Sequence, residues 1–190
     1  MYIYEGNQLL FYFLTSIFSV AMCCILTMLF GIPKEAMIPD DVKETKSSFI
    51  APASGKVMAL EEVEDEVFAK KTLGDGFAIT LNDGKIIAPF SGQLVSVFPS
   101  GHAYGIKGDN GEEILIHIGV DTASLQGEGF CMHVKQGEHV KQGDVLVDVD
   151  IEKLQSLHKS LATMIIFTNG KEVTIDKSIA FVQCGQSLDI

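Results

Sequence analysis

Two histidines fifteen positions apart, His102 and His117, are the side chains of this chain best suited to chemistry near neutral pH. Each sits in a short phrase punctuated by glycine: Ser100-Gly101-His102-Ala103-Tyr104-Gly105 and Leu115-Ile116-His117-Ile118-Gly119-Val120-Asp121-Thr122. Imidazole takes up and releases a phosphoryl group, or holds a metal, in this pH range. Alternation along a strand places Ile114, Ile116 and Ile118 on one face and Leu115 and His117 on the other. A histidine with such apolar neighbours is dehydrated enough to stay neutral, and the neutral imidazole is the nucleophilic form. A lone histidine of this kind is more often a core or surface residue. Two histidines by themselves are an incomplete zinc site, and no His-x-His pair or third ligand near them completes one.

The elements that must carry this pair read as strands. Short apolar alternations recur at Gly55–Leu60, Phe77–Leu81, Lys85–Ala88, Gln93–Phe98, Ala103–Lys107, Glu113–Ile118 and Asp144–Val149. Turn residues such as Asn82-Asp83-Gly84 and Asp109-Asn110-Gly111 break them. The pattern predicts an all-β fold, an antiparallel β-sandwich or barrel. A helix is expected only over Ile151–Ser160, with Asp150 as its N-cap, plus a helical turn near Val67–Thr72. Two phrases, Ala51-Pro52-Ala53-Ser54-Gly55 and Ala88-Pro89-Phe90-Ser91-Gly92, echo one another and are expected to open strands at equivalent corners. A Val-Lys-Gln-Gly turn occurs twice between Val134 and Asp144. It resembles the turns of lipoyl and biotinyl carrier domains, but no lysine stands at a hairpin tip to bear a cofactor.

Six ordered phrases from about Ser48 to Asn169 resemble the glucose-type IIA domain of the bacterial sugar phosphotransferase system. They are Ala51–Val57, Asp65–Ala69, Gly74–Ile79, Ala88–Gly92, the two histidine phrases taken together, and Gly127–Phe130. The resemblance implies that His117 receives a phosphoryl group on Nε2 from the carrier protein HPr and hands it to a cysteine of a IIB domain. It implies that His102 hydrogen-bonds the phosphoryl group without being phosphorylated. Ser100 stands where the family usually has threonine, whose hydroxyl fixes a histidine. Asp65 and Asp121 match acidic rim positions that meet an arginine of the partner. Val67, Phe68, Leu73, Phe77 and Phe130 match an apolar ring that docks the partner and keeps water out. Of the phenylalanines, Phe68 is expected to be the exposed one, and Phe77 could be core. No cofactor and no resident metal is implied. Regulation of other proteins by phosphorylation state is the alternative the resemblance allows, as is a degenerate permease remnant, while a zinc hydrolase on a β scaffold lacks its third ligand. His133, His139 and His158 read as surface residues, the last within the expected helix.

Before the first phrase the composition changes. Leu9–Gly31 is an uncharged run of 23 residues whose polar members are Thr15, Ser16, Ser19 and Thr27. That length spans the hydrocarbon core of a bilayer as a helix. A signal peptide would have a basic start and a shorter apolar stretch, whereas Glu5 is the sole charge ahead of this run. Lys34, Lys43 and Lys46 follow it, so the positive-inside bias puts the C-terminal domain in the cytoplasm at the plasma membrane. The expected organisation is a transmembrane segment at 1–32 resembling the end of a IIC permease domain, a linker at 33–47, a IIA domain at 48–170 and an extension at 171–190. A net charge of −11 argues against nucleic acid and for a partner with a basic face. Cys23, Cys24, Cys131 and Cys184 lack a CxxC pair spaced for zinc and read as reduced thiols.

Overall fold

Apolar alternation in this chain produces strands wherever one face is covered, and a continuous apolar run where both are. The computed structural model describes residues 49–175 and 179–190. The expected membrane span and linker therefore lie outside the described residues. Among the described residues no helix is long and apolar enough to cross a membrane.

The strands, in chain order, are β1 (Phe49–Ile50), β2 (Gly55–Ala59), β3 (Asp75–Leu81), β4 (Lys85–Ile87), β5 (Gly92–Val97), β6 (Ala103–Gly108) and β7 (Glu113–Val120). They continue with β8 (Phe130–Met132), β9 (His139–Val140), β10 (Val145–Val149), β11 (Ser160–Phe167), β12 (Phe181–Val182) and β13 (Ser187–Leu188). The main sheet has the order β12-β2-β3-β11-β7-β6-β5-β9, beside a three-stranded sheet β4-β10-β8 and the pair β1-β13. All the pairings are antiparallel, so the all-β antiparallel expectation holds. Two short helices, α1 (Glu66–Ala69) and α2 (Ile151–Ser156), and two 3-10 turns complete the described residues.

The main sheet separates two apolar clusters. Phe49, Phe77, Ile79, Phe90, Leu94, Tyr104, Ile116 and Ile118 belong to the larger core on one side. Phe49 centres its aromatic part, 5.6–6.3 Å from the rings of Phe77, Phe90 and Phe167. On the other side, Leu60, Val63 and Phe68 from the β2–β3 connection cover Ala78, Ala162, Met164 and Ile166.

One expectation needs correction here. The helix beginning after Asp150 does not reach Ser160. Asp150 caps it as expected, accepting from Lys153 N at 2.9 Å, but the helix ends at Ser156. His158 then takes a left-handed backbone with φ of 53°, which turns the chain into β11. The strand β11 itself escapes an alternation test because it is central, flanked by β3 and β7, with Ala162–Phe167 buried on both faces.

The echoed phrases pair with each other. Ile50 N donates to Pro89 O at 3.1 Å and Ile87 N donates to Pro52 O at 2.9 Å. Each phrase ends in a glycine pressed against a neighbouring strand: a Cβ at Gly55 would lie 2.0 Å from Thr80 O, and one at Gly92 would lie 2.3 Å from Lys107 O. Ala88 also exchanges hydrogen bonds with the Gly143–Asp144 turn (2.9 Å each way), and Ala51 does the same with Gly185–Gln186 (2.9 and 2.8 Å). The C-terminal turn thus serves the first phrase as the second Val-Lys-Gln-Gly turn serves the second.

Candidate active site

The hairpin β6–β7 brings the two histidines side by side. Its tip is Asp109-Asn110-Gly111, where Asn110 Oδ1 accepts from Glu112 N at 3.1 Å. The register pairs Ala103 with His117, and Ile118 N donates to the carbonyl of His102 at 2.7 Å. The imidazole centroids are 5.1 Å apart with the planes at 73°. His117 projects from the face opposite Ile116 and Ile118, as alternation predicts, and its neighbours across the sheet are Met164 and then Ala78.

The phrase after His117 builds a bracket for its ring. Gly119, with φ of 72°, curls the chain so that its carbonyl accepts from His117 Nδ1 at 3.0 Å. A Cβ there would lie 2.5 Å from Thr122 Cγ2 and 2.7 Å from Ser160 O, so the position admits only glycine without rearrangement. The Thr122 hydroxyl, fully buried, donates to Ile118 O and closes the turn. A carbonyl can only accept, so Nδ1 carries the proton and the lone pair of the neutral ring is on Nε2. Burial first, and then the charge on His102, push the pKa of His117 below the ordinary value; the Gly119 carbonyl and the Asp65 carboxylate oppose them.

His102 is buried at 5% exposure, and burial lowers its pKa as well. Ser100 Oγ lies 2.6 Å from His102 Nδ1. Gly101 between them has φ of 68° and is roofed by Phe130 and Met132, whose side chains would be 3.1 and 2.9 Å from a Cβ there. The Phe98 ring meets the edge of His102 at 5.3 Å.

Around the pair, α1 carries the other apolar contacts. Asp65 Oδ1 accepts from Val67 N at 2.8 Å and Phe68 N at 3.3 Å, the N-cap arrangement that starts the helix. Phe68 then turns inward, 5.0 Å from the His117 ring and 7% exposed, while Val67 and Leu73 stay 48% and 45% exposed. The expectation that Phe68 is the exposed phenylalanine is thus corrected: a helical turn sends adjacent residues in different directions, and Val67 takes the outward one. Phe77 is 2% exposed and lies in the larger core. It therefore stands on the far side of the sheet from His117, because Ala78 is the β3 residue on the histidine face. Tyr104 likewise faces that core and is not a site residue. Phe130 is half-buried behind Gly101, and Asp121 is exposed with a left-handed φ of 57°.

Phe98, against the His102 ring, and Met132, over Gly101, are 44% and 43% exposed, and sequence reasoning did not single them out. Phe98 had been readable as the last residue of a strand; β5 stops at Val97 and leaves its ring at the rim. Among the described residues no three His, Cys, Asp or Glu gather to hold a metal.

Residues 47–173 match the family model for the phosphoenolpyruvate-dependent sugar phosphotransferase system, EIIA 1. Over 147 residues the chain is 42% identical to the PTS system glucose-specific EIIA component of Halalkalibacterium halodurans, covering 77% of this chain and 84% of that one. The solved structure of glucose permease IIA from Mycoplasma capricolum is 44% identical, with a TM-score of 0.68 over 74% of this chain and 92% of that one. A curled glycine turn beside paired, neutral imidazoles and a sequence match that includes both histidine phrases lead to one assignment: this chain belongs to the EIIA 1 family of the phosphoenolpyruvate-dependent sugar phosphotransferase system and is a phosphotransferase component of it.

Proposed function

We propose that His117 is the phosphorylated residue, taking the phosphoryl group from the phosphohistidine of HPr and passing it to a cysteine of a IIB domain. The observation that carries this reading is the bond from Nδ1 of His117 to the Gly119 carbonyl, which leaves the lone pair on Nε2. In the first half-reaction Nε2 forms a bond to phosphorus as the P–N bond to the HPr imidazole breaks. In the second the bond to Nε2 breaks as the cysteine thiolate of IIB forms a P–S bond. His102 donates from Nε2 to a phosphoryl oxygen, and the Ser100 hydroxyl donates to Nδ1 to hold that tautomer. Val67, Leu73, Phe98, Met132 and the exposed edge of Phe130 ring the imidazoles and dock the partner, excluding the water that would hydrolyse phosphohistidine. Asp65 and Asp121 meet basic residues of that partner at the rim.

The test uses the full chain with enzyme I, HPr and phosphoenolpyruvate, following the mass shift of one phosphoryl group. The expected outcome is an acid-labile, base-stable phosphate that persists in His102→Gln and is lost in His117→Gln. A folded wild type that takes up no phosphate, or a His117→Gln variant that still does, overturns the assignment.

The uncharged run at Leu9–Gly31 supports a membrane-tethered form of the domain, organised as a span at 1–32, a linker at 33–47, a IIA domain at 48–170 and an extension at 171–190, facing the cytoplasm. Tethering predicts that the full chain stays in the membrane pellet after alkaline carbonate washing and that deletion of residues 1–32 releases it. A full chain found in the wash argues against the span.

A further inference from the structure

Lys71 occupies an unusual place. It lies near the end of the Leu60–Gly74 segment that carries Phe68 over His117, and it takes a left-handed backbone there, φ 53°. That region is uncommon for lysine, and glycine or asparagine is the usual choice there. Its backbone is committed at both ends: the amide donates to Phe68 O at 2.9 Å, and the carbonyl accepts from Gly74 N at 3.2 Å. Its side chain reaches two other elements. Lys71 Nζ lies 2.9 Å from Glu61 Oε1, on the 3-10 turn after β2, and 2.7 Å from Asp75 Oδ1, the first residue of β3.

Asp75 is a prepared anchor. Its Oδ1 accepts from Gly76 N at 2.9 Å, and its Oδ2 accepts from Val173 N at 3.0 Å, in the chain that leaves β11. The ammonium of Lys71 therefore joins the end of β2, the start of β3 and the strand exit beside them. Asp75 first, and then Glu61, hold its pKa above the ordinary lysine value. The neighbouring Lys70 offers a contrast. It bonds Glu66 at 2.6 Å within its own helical turn, with both side chains largely in water, and so ties the helix to nothing else.

We propose that Lys71 is a positioning residue for phosphoryl transfer: by bridging Glu61 and Asp75 it clamps the Leu60–Gly74 segment onto the sheet, so that Phe68 lies against His117 and Val67 and Leu73 face outward around it. This rests on His117 being the phosphoryl acceptor. Ion pairs this exposed add little to overall stability, so the consequence falls on the placement of the cap and hence on docking. Burial, with the Phe68 ring packed 5.0 Å away, and the neighbouring His102 lower the pKa of His117, while the Gly119 carbonyl and the Asp65 carboxylate oppose them. A loosened cap removes the first of these.

The experiment compares full chains of wild type, Lys71→Met, Lys71→Arg, Lys71→Gly and Lys70→Met. Each is assayed for phosphoryl uptake from phospho-HPr and titrated by NMR of the histidine ring carbons, with His117→Gln assigning the resonance. In Lys71→Met the KM for phospho-HPr rises about three- to tenfold with kcat little changed, and the His117 titration moves up toward that of a solvated histidine. Lys71→Arg restores both values. Lys70→Met removes the same charge and changes neither, which separates placement from simple steering. Lys71→Gly accepts the left-handed backbone without strain and keeps the test decisive if the methionine variant misfolds; it shows the same loss. The proposal is overturned if Lys71→Met or Lys71→Gly behaves as wild type, or if Lys70→Met matches Lys71→Met. If the wild type itself takes no phosphate on His117, the assignment of the acceptor fails, and the titration shift still reports on the clamp.

Discussion

At the scale of single residues, the proposed phosphoryl transfer calls for two neutral imidazoles. Burial lowers the pKa of both His102 and His117 below the ordinary 6.5. In the unfolded chain both return to that ordinary value, so as pH falls through about 6.5 the unfolded chain binds protons before the folded one does. The stability the histidines permit is therefore complete above that pH and is lost progressively below it. Urea midpoints at pH 8 and pH 5.5 check this. The wild type should lose more stability on acidification than the His102→Gln, His117→Gln double variant, and equal losses would falsify the linkage. The histidines, Ser100 and the glycine bracket were readable as residues because their chemistry and spacing are local. The side of the sheet a residue serves was less readable: Phe77 and Ala78 are adjacent, yet one joins the core and the other lies under the cap beside the site. Met132 carries no local signal at all, because it meets Gly101 only through the turn of another sheet.

Among the elements, the strands with one covered face were legible from alternation, and β7 is the clearest, with its parity preserved from Ile114 to Ile118. The central strand β11 was not, because a strand covered on both sides has no polar face to alternate with. The C-terminal elements β12 and β13 are only two residues each, too short for any period to register. Their role is nonetheless large. β12 pairs Phe181 with Lys56 and Val182 with Gly55, and β13 pairs with β1, while Val182 and Leu188 are buried to 3% and 4% exposure. Burying two such side chains stabilises by about 3–6 kcal/mol, a large part of the net stability of a domain. Deleting Ile179–Ile190 should therefore lower the thermal midpoint markedly. An unchanged midpoint in a melting curve would show that these strands are dispensable.

At the largest scale, the two faces of the main sheet among the described residues are put to different uses. One face is filled by the larger core, and the other holds His117 beneath the segment from Leu60 to Gly74. Legible in the chain alone were the strand-rich antiparallel class, the paired histidines, the N-cap at Asp150, and the family to which the phrases point. All of these are short-range signals, set by period, capping chemistry or the steric demand of a single glycine. It took the folded structure to show that the two echoed phrases bond to each other, that Phe68 turns inward onto His117 while Phe77 faces the core, and that Lys71 reaches both Glu61 and Asp75. Those contacts join residues through strand pairing and packing, and a long-range neighbour leaves no period in the chain that must fold to meet it.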